Sequence, residues 1–120
     1  MENNNQRIKI YTDGSGDGRF CYYKPMTREI GRRQIEGLTN NESEYKAILL
    51  ALLHTRDGEK IIILSDSKVV INQLNLEWYI KSARLREIFD DIHAVIADKK
   101  LDVIFKWLPR NKNRAGKYLG

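Results

Sequence analysis

The stretch Lys60-Ile-Ile-Ile-Leu-Ser-Asp66 decides the reading of the fold. Four apolar residues follow one another with no polar side chain between them. A strand with one wet face alternates apolar and polar residues, whereas a strand covered on both faces reads as an unbroken apolar run, the pattern of parallel sheets. The neighbouring sequence supplies the covering layers. Before the run, over 42–55, Tyr45, Ile48, Leu49, Leu52 and Leu53 fall at helical spacing, and Asp57-Gly58 stops that helix. After it come a short helix over 67–74 and a longer one over 82–98, with Leu85, Ile88, Phe89, Ile92, Val95 and Ile96 on one stripe. Residues 101–107 read as a last strand, which Pro109 breaks, and 113–119 as a short terminal helix.

The front of the chain has a different rhythm. Residues 8–12 alternate as a strand, and Asp13-Gly-Ser-Gly-Asp-Gly18 reads as a turn or loop by its glycine and aspartate content. Residues 19–24 and 29–36 read as two more strands, joined through Pro25-Met-Thr in an antiparallel hairpin. The order βββαβααβα predicts an α/β fold, a mixed sheet whose second half is paired in parallel through crossover helices. Residues 1–7 are expected to be a flexible segment and 8–120 a single domain.

Composition narrows the class. In 120 residues, 42% are hydrophobic and 31% charged, as in a globular chain able to build its own core. One cysteine, Cys21, excludes an internal disulfide, and two histidines offer no zinc cluster. The longest apolar run, 47–53, is far short of a membrane span, and the first residues carry no signal-peptide pattern. A reducing, cytoplasmic setting is expected, with no membrane partner. The formal charge is +5, and the last 18 residues hold Lys106, Arg110, Lys112, Arg114 and Lys117 with no acid. A basic patch of this kind attracts polyanions, although it also serves as a solvated face.

Three acids stand at element ends. Asp13 closes the first strand, Glu44 sits in the first turn of the first helix, and Asp66 closes the central strand. Each has a structural reading: Asp13-Gly14 as a turn pair, Glu44 as capping-box partner of Asn41, and Asp66 as a helix cap. Together they have a chemical one. If the first and fourth strands are parallel neighbours, Asp13 and Asp66 leave the sheet side by side at its carboxyl edge, where α/β proteins bind ligands. Convergent carboxylates repel one another, and hard divalent cations such as Mg²⁺ offset that charge. Two such ions, about 3.5–4 Å apart, activate a water and stabilise a leaving oxygen in phosphoryl chemistry.

The segments Tyr11-Thr-Asp-Gly-Ser15, Thr39-Asn-Asn-Glu-Ser-Glu-Tyr45, Leu64-Ser-Asp-Ser67 and Trp107-Leu-Pro-Arg110 with Asn113 resemble, in order and spacing, the type 1 ribonuclease H family. The segment 73–78 with 81–86 also resembles bacterial and archaeal members. The resemblance implies a five-stranded sheet of order 3-2-1-4-5. It also implies cleavage of the RNA strand of RNA–DNA hybrids with two Mg²⁺ or Mn²⁺ ions, leaving 3′-hydroxyl and 5′-phosphate ends. It assigns Asp13, Glu44 and Asp66 as catalytic metal ligands, with Glu44 also sensing the 2′-hydroxyl. It implies substrate contacts at Gly14, Ser15, Asn40, Asn41, Trp78, Lys81 and Arg110. Glu42 is the decoy, two residues before the family's acid. A monomer is expected.

The chain departs from the family pattern in two places. No Asp or Glu follows Asp102, so the family's fourth acid is absent, and Gly116 or Lys117 aligns with it. Three readings stay open: Asn113 ligates in its place through the amide oxygen, Lys117 stands by as a fixed charge, or nothing replaces it. Asn113 could equally cap the last helix. The seven residues 75–81 between the middle helices leave no room for the basic handle of some members, which leaves the arginines at 28, 32, 33, 84 and 86 and the terminal basic run as further candidates for substrate grip. Trp78 reads as a substrate platform or as core, and Trp107 as core. An alternative function is a catalytically weak hybrid- or duplex-binding module. A third is another metal nuclease of the same fold, such as a resolvase or a reverse-transcriptase-associated domain.

Overall fold

The structure is a computed structural model that describes residues 6–120. Five strands, β1 (Ile8–Gly14), β2 (Arg19–Lys24), β3 (Glu29–Gln34), β4 (Lys60–Ser65) and β5 (Asp102–Trp107), form one sheet in the order β3-β2-β1-β4-β5. β1, β2 and β3 pair antiparallel, while β1–β4 and β4–β5 are parallel. Three helices follow the sequence pattern: α1 (Asn40–Leu53), α2 (Lys68–Leu74) and α3 (Ala83–Lys99).

The run 60–64 is the central strand that its composition demands. Residues Ile61 to Ser65 are all buried, with Ile61 and Ile63 on the helix-covered face and Ile62 and Leu64 on the other. The main core lies between the sheet and α1 and α3, where Ile10, Tyr22, Ile63 and Phe105 meet Tyr45, Ile48, Leu52 and Ile92. Each fully buried aliphatic side chain there contributes about 1.5–3 kcal/mol relative to exposure. A smaller cluster on the opposite face joins Cys21, Tyr23 and Ala115. No helix among the described residues is long and apolar enough to cross a membrane.

The element boundaries differ from the sequence reading where pairing decides them. β1 runs to Gly14, because the antiparallel ladder with β2 continues through Asp13↔Cys21 and Gly14↔Phe20. Asp13 is therefore a strand residue, not a loop residue. β3 stops at Gln34, which pairs with Arg19 at the start of β2, so the ladder has run out. The expected helix over 113–119 is replaced by two short 3-10 turns, Arg110–Lys112 and Gly116–Tyr118. Gly116 lowers the helix propensity of the segment, and the Asn113 side chain takes the Ala115 N–H for itself. The expected flexible segment 1–7 is corrected at Arg7, which is buried and donates to the Asp102 backbone and carboxylate at 2.8 and 3.0 Å. Residues 1–5 of that segment lie outside the described residues.

Candidate active site

The first turn of α1 separates two glutamates by function. Thr39 is the N-cap: its side chain accepts from the Glu42 N–H, and the Glu42 carboxylate accepts from the Thr39 N–H at 2.9 Å. Glu42 also pairs with Arg84 at 3.1 Å. The capping box thus belongs to Glu42, not to Asn41 and Glu44. Glu44 points away from the cap and accepts from the Gly14 N–H at the end of β1. It is 4% exposed and also receives the Ser65 hydroxyl at 3.3 Å.

Gly14 makes that approach possible. A Cβ there would lie 2.5 Å from the Ser43 carbonyl carbon and 2.6 Å from the Glu44 nitrogen, so the helix start rests directly on the strand end. Its N–H also contacts Asp13 Oδ1, which gives this expected substrate residue an internal duty.

Asp66 follows β4 and is likewise free of the capping role. Ser67 is the N-cap of α2, and its side chain accepts from the Val70 N–H. Because β1 and β4 are parallel neighbours, Asp13 and Asp66 emerge together, and Glu44 reaches them from α1. One carboxylate oxygen from each of Asp13, Glu44 and Asp66 lies within 4.8 Å of the others.

This cluster is electrostatically incomplete. Burial, then the charge of Asp13, push the Glu44 carboxyl well above its usual range. Burial and then the Asp66 charge raise Asp13 as well, partly opposed by Arg110. Among the described residues no lysine or arginine forms an ion pair with any of the three. A partly buried set of hard oxygen donors with no ion-pair partner among the described residues suits a divalent cation, and Asp13, Glu44 and Asp66 are the residues that would hold it.

The geometry defines how Asn113 is held at the fourth position. Asn113 is buried and donates its amide NH₂ to the Thr12 carbonyl and to Asp66 Oδ2, both at 2.9 Å, while its amide oxygen accepts from the Ala115 N–H at 3.1 Å. A carbonyl can only accept and a backbone N–H can only donate, so the orientation of the amide is determined. The oxygen expected to ligate a metal already accepts one hydrogen bond and keeps a second lone pair, while the amide nitrogen aims Asp66. Nor does Asn113 share a helix face with Lys117, whose ammonium lies 5.1 Å above the Tyr118 ring. Gly116 is the residue that faces Asp13: a Cβ there would sit 3.5 Å from Asp13 Oδ2.

The remaining expected contacts scatter around this centre. Asn40 is exposed and Asn41 half-buried at the start of α1, and Ser15, half-buried, donates its hydroxyl to Asp17. Arg110 is exposed and close enough to act on Asp13. Trp78 is half exposed and Lys81 exposed in the α2–α3 connection, so the core reading of Trp78 fails. The core reading of Trp107 fails too: the residue is 38% exposed and its indole N–H donates to the Asp66 carbonyl at 3.1 Å. Sequence reasoning missed Ser65, whose hydroxyl supports Glu44. Its place beside Asp66 at a strand end was the available signal.

A 3-2-1-4-5 mixed sheet with three convergent acids at the shared edge of β1 and β4 defines a ribonuclease H-like protein. The chain belongs to the reverse transcriptase-like family, whose sequence profile matches residues 28–119. That span holds Glu44 and Asp66, while Asp13 lies upstream and joins them through the register of β1. The chain is 35% identical to a ribonuclease H of Caldanaerobacter subterraneus subsp. tengcongensis, over 65% of this chain and 56% of that protein. It is 30% identical to the uncharacterized protein YpeP of Bacillus subtilis, over 89% of this chain and 54% of that protein. It therefore spans just over half the length of these relatives. The crystal structure of the ribonuclease H1 LC11 in complex with an RNA/DNA hybrid superposes with a TM-score of 0.80 at 23% identity, covering 94% of this chain and 93% of that one. The resemblance read from the four motifs is upheld at the level of family and fold.

Proposed function

We propose that the protein is a ribonuclease H, a metal-dependent endonuclease that hydrolyses the RNA strand of RNA–DNA hybrids to 3′-hydroxyl and 5′-phosphate ends. The observation that carries this reading is the convergence of Asp13, Glu44 and Asp66, with the competing capping duties taken by Glu42 and Ser67. The hybrid bound by the LC11 neighbour supports the substrate class. Mg²⁺ or Mn²⁺, two ions with substrate, would supply an activated water and a Lewis acid for the leaving oxygen.

The chain's own residues do the positioning. Gly14 and Ser65 hold the Glu44 carboxylate in place beside Asp13 and Asp66. Asn113 fixes one Asp66 oxygen and leaves the other free to ligate. Asn40 and Asn41, at the same helix end as Glu44, present amides to a minor groove, and Arg110 presents charge to a phosphate.

One observation favours the second reading, a weakly catalytic hybrid-binding module: Gly116 faces Asp13 with no ligand atom. A single assay separates the two. Labelled RNA–DNA hybrid, duplex RNA and duplex DNA are incubated with Mg²⁺, with Mn²⁺ or with chelator. The expected result is metal-dependent cleavage of the hybrid alone, abolished by Asp13→Asn. Hybrid binding without cleavage, unchanged by that substitution, would establish the second reading instead, and cleavage of duplex DNA would sink both.

A further inference from the structure

One face of the sheet is covered by α1 and α3. On the other, the terminal turn packs over the β2 side through Ala115, Tyr118 and Leu119. Across β1, β4 and β5 that face carries a groove of about 300 Å³. Its floor is Ile62 and Leu64, whose strand β4 is central and therefore apolar on both sides. Its walls carry Lys9, Lys106 and Lys112, all exposed, and its aromatic members are Tyr11 and Trp107.

Three features of this groove belong together. Its lining holds three lysines and no acid, and none of these lysines forms an ion pair among the described residues. Further cations border it: Lys68 Nζ lies 4.7 Å from the Trp107 ring centre, and the Arg114 guanidinium 5.8 Å from that of Tyr11. The groove also begins at the acid cluster, since Trp107 donates to the Asp66 carbonyl and Leu108 N–H to the Ser65 carbonyl at 3.0 Å.

We propose that this open sheet face is a second nucleic-acid site, which takes a single strand with phosphates on Lys9, Lys106 and Lys112 and a base against Trp107. Uncompensated lysines along a shallow track, with exposed aromatic surface between them, are what a flexible polyanion with π-faces requires. Duplex recognition at the acids uses the α1 end of the sheet, whereas a strand leaving that duplex past Trp107 meets a groove whose lining holds no acid. The proposal extends the nuclease reading but does not depend on it.

The test is the affinity of a fluorescein-labelled dT₁₂ strand, followed by anisotropy in chelator, where the acid cluster repels DNA. Lys9→Glu/Lys106→Glu is expected to weaken binding at least about tenfold near 50 mM salt. The same pair is expected to lower the salt slope by about 0.7 for each lost contact, while Lys9→Arg/Lys106→Arg retains both. Unchanged dT₁₂ affinity in the glutamate pair overturns the proposal. So does an acidic tryptophan-containing peptide that binds more tightly than dT₁₂ and displaces it. Should the glutamate pair fail to fold, amide shifts of the wild-type chain titrated with dT₁₂ decide the matter. Perturbations centred on Lys9, Ile62 and Lys106 support the site, and perturbations confined to other surfaces overturn it. Because this binding is read without metal or hybrid, its failure leaves the cleavage reading standing, and loss of cleavage leaves this site standing.

Discussion

Glu42 and Glu44 stand two residues apart in one helical turn and have separate tasks, because one points along the helix end and the other into the sheet edge. Their substitutions should diverge accordingly. Glu42→Ala loses a capping-box partner and the Arg84 pair, and should cost about 1 kcal/mol in urea unfolding while cleavage persists. Glu44→Gln should abolish cleavage and stabilise the metal-free protein. The sign follows from linkage: the Glu44 carboxyl titrates higher in the folded state than its ordinary 4.5, so the folded state binds the proton more tightly than the unfolded one. The stability this group contributes is present below pH 4.5 and is lost as pH rises toward the folded value. Thermal melts in chelator should show the Gln variant pulling ahead of wild type between roughly pH 5 and 8, by on the order of 1–2 kcal/mol. Added Mg²⁺ should narrow the gap. A gap that shrinks with rising pH would mean the carboxylate is already compensated within the protein.

At the scale of elements, the terminal segment is the departure with chemical consequence. It does not form a helix; two 3-10 turns are pinned by the Asn113 amide, and Gly116 comes to rest over Asp13. Gly116→Asp should therefore add a fourth carboxylate to the cluster. The expected result is a lower melting temperature in chelator together with a fall of roughly tenfold in the Mg²⁺ concentration that half-saturates activity, since ligand charge count tunes cation affinity. Calorimetric Mg²⁺ titration of both proteins checks it, and equal affinities would show that Gly116 does not face the cation. The central strand and the α1 and α3 stripes were legible because hydrophobic periodicity records burial directly. The ends of β1 and β3 were not, because each is decided by the length of its partner in the ladder rather than by its own residues.

At the scale of the whole molecule, charge is unevenly placed. The acids of the site are gathered at one sheet edge, while the formal +5 is expressed on the surfaces around it. Hybrid affinity should consequently fall steeply with salt while kcat changes little, because phosphate contacts set binding and the carboxylates set chemistry. Steady-state cleavage between about 50 and 200 mM KCl should raise KM by at least tenfold; a change in kcat of the same size would place the basic residues in the chemical step.

The sequence alone determined the layered α/β order, the acids that sit at element ends, and the family, because burial periodicity and motif spacing are written along the chain. Only the tertiary structure decided which acids are caps and which converge, that the Asn113 amide oxygen is engaged and its nitrogen turned to Asp66, and that one sheet face is an open basic groove. Each of these depends on which partner a side chain meets across the fold. A carboxylate or an amide two residues from another looks the same in sequence whichever way it points, and hydrogen-bond direction is settled by a partner as far away as Thr12 is from Asn113.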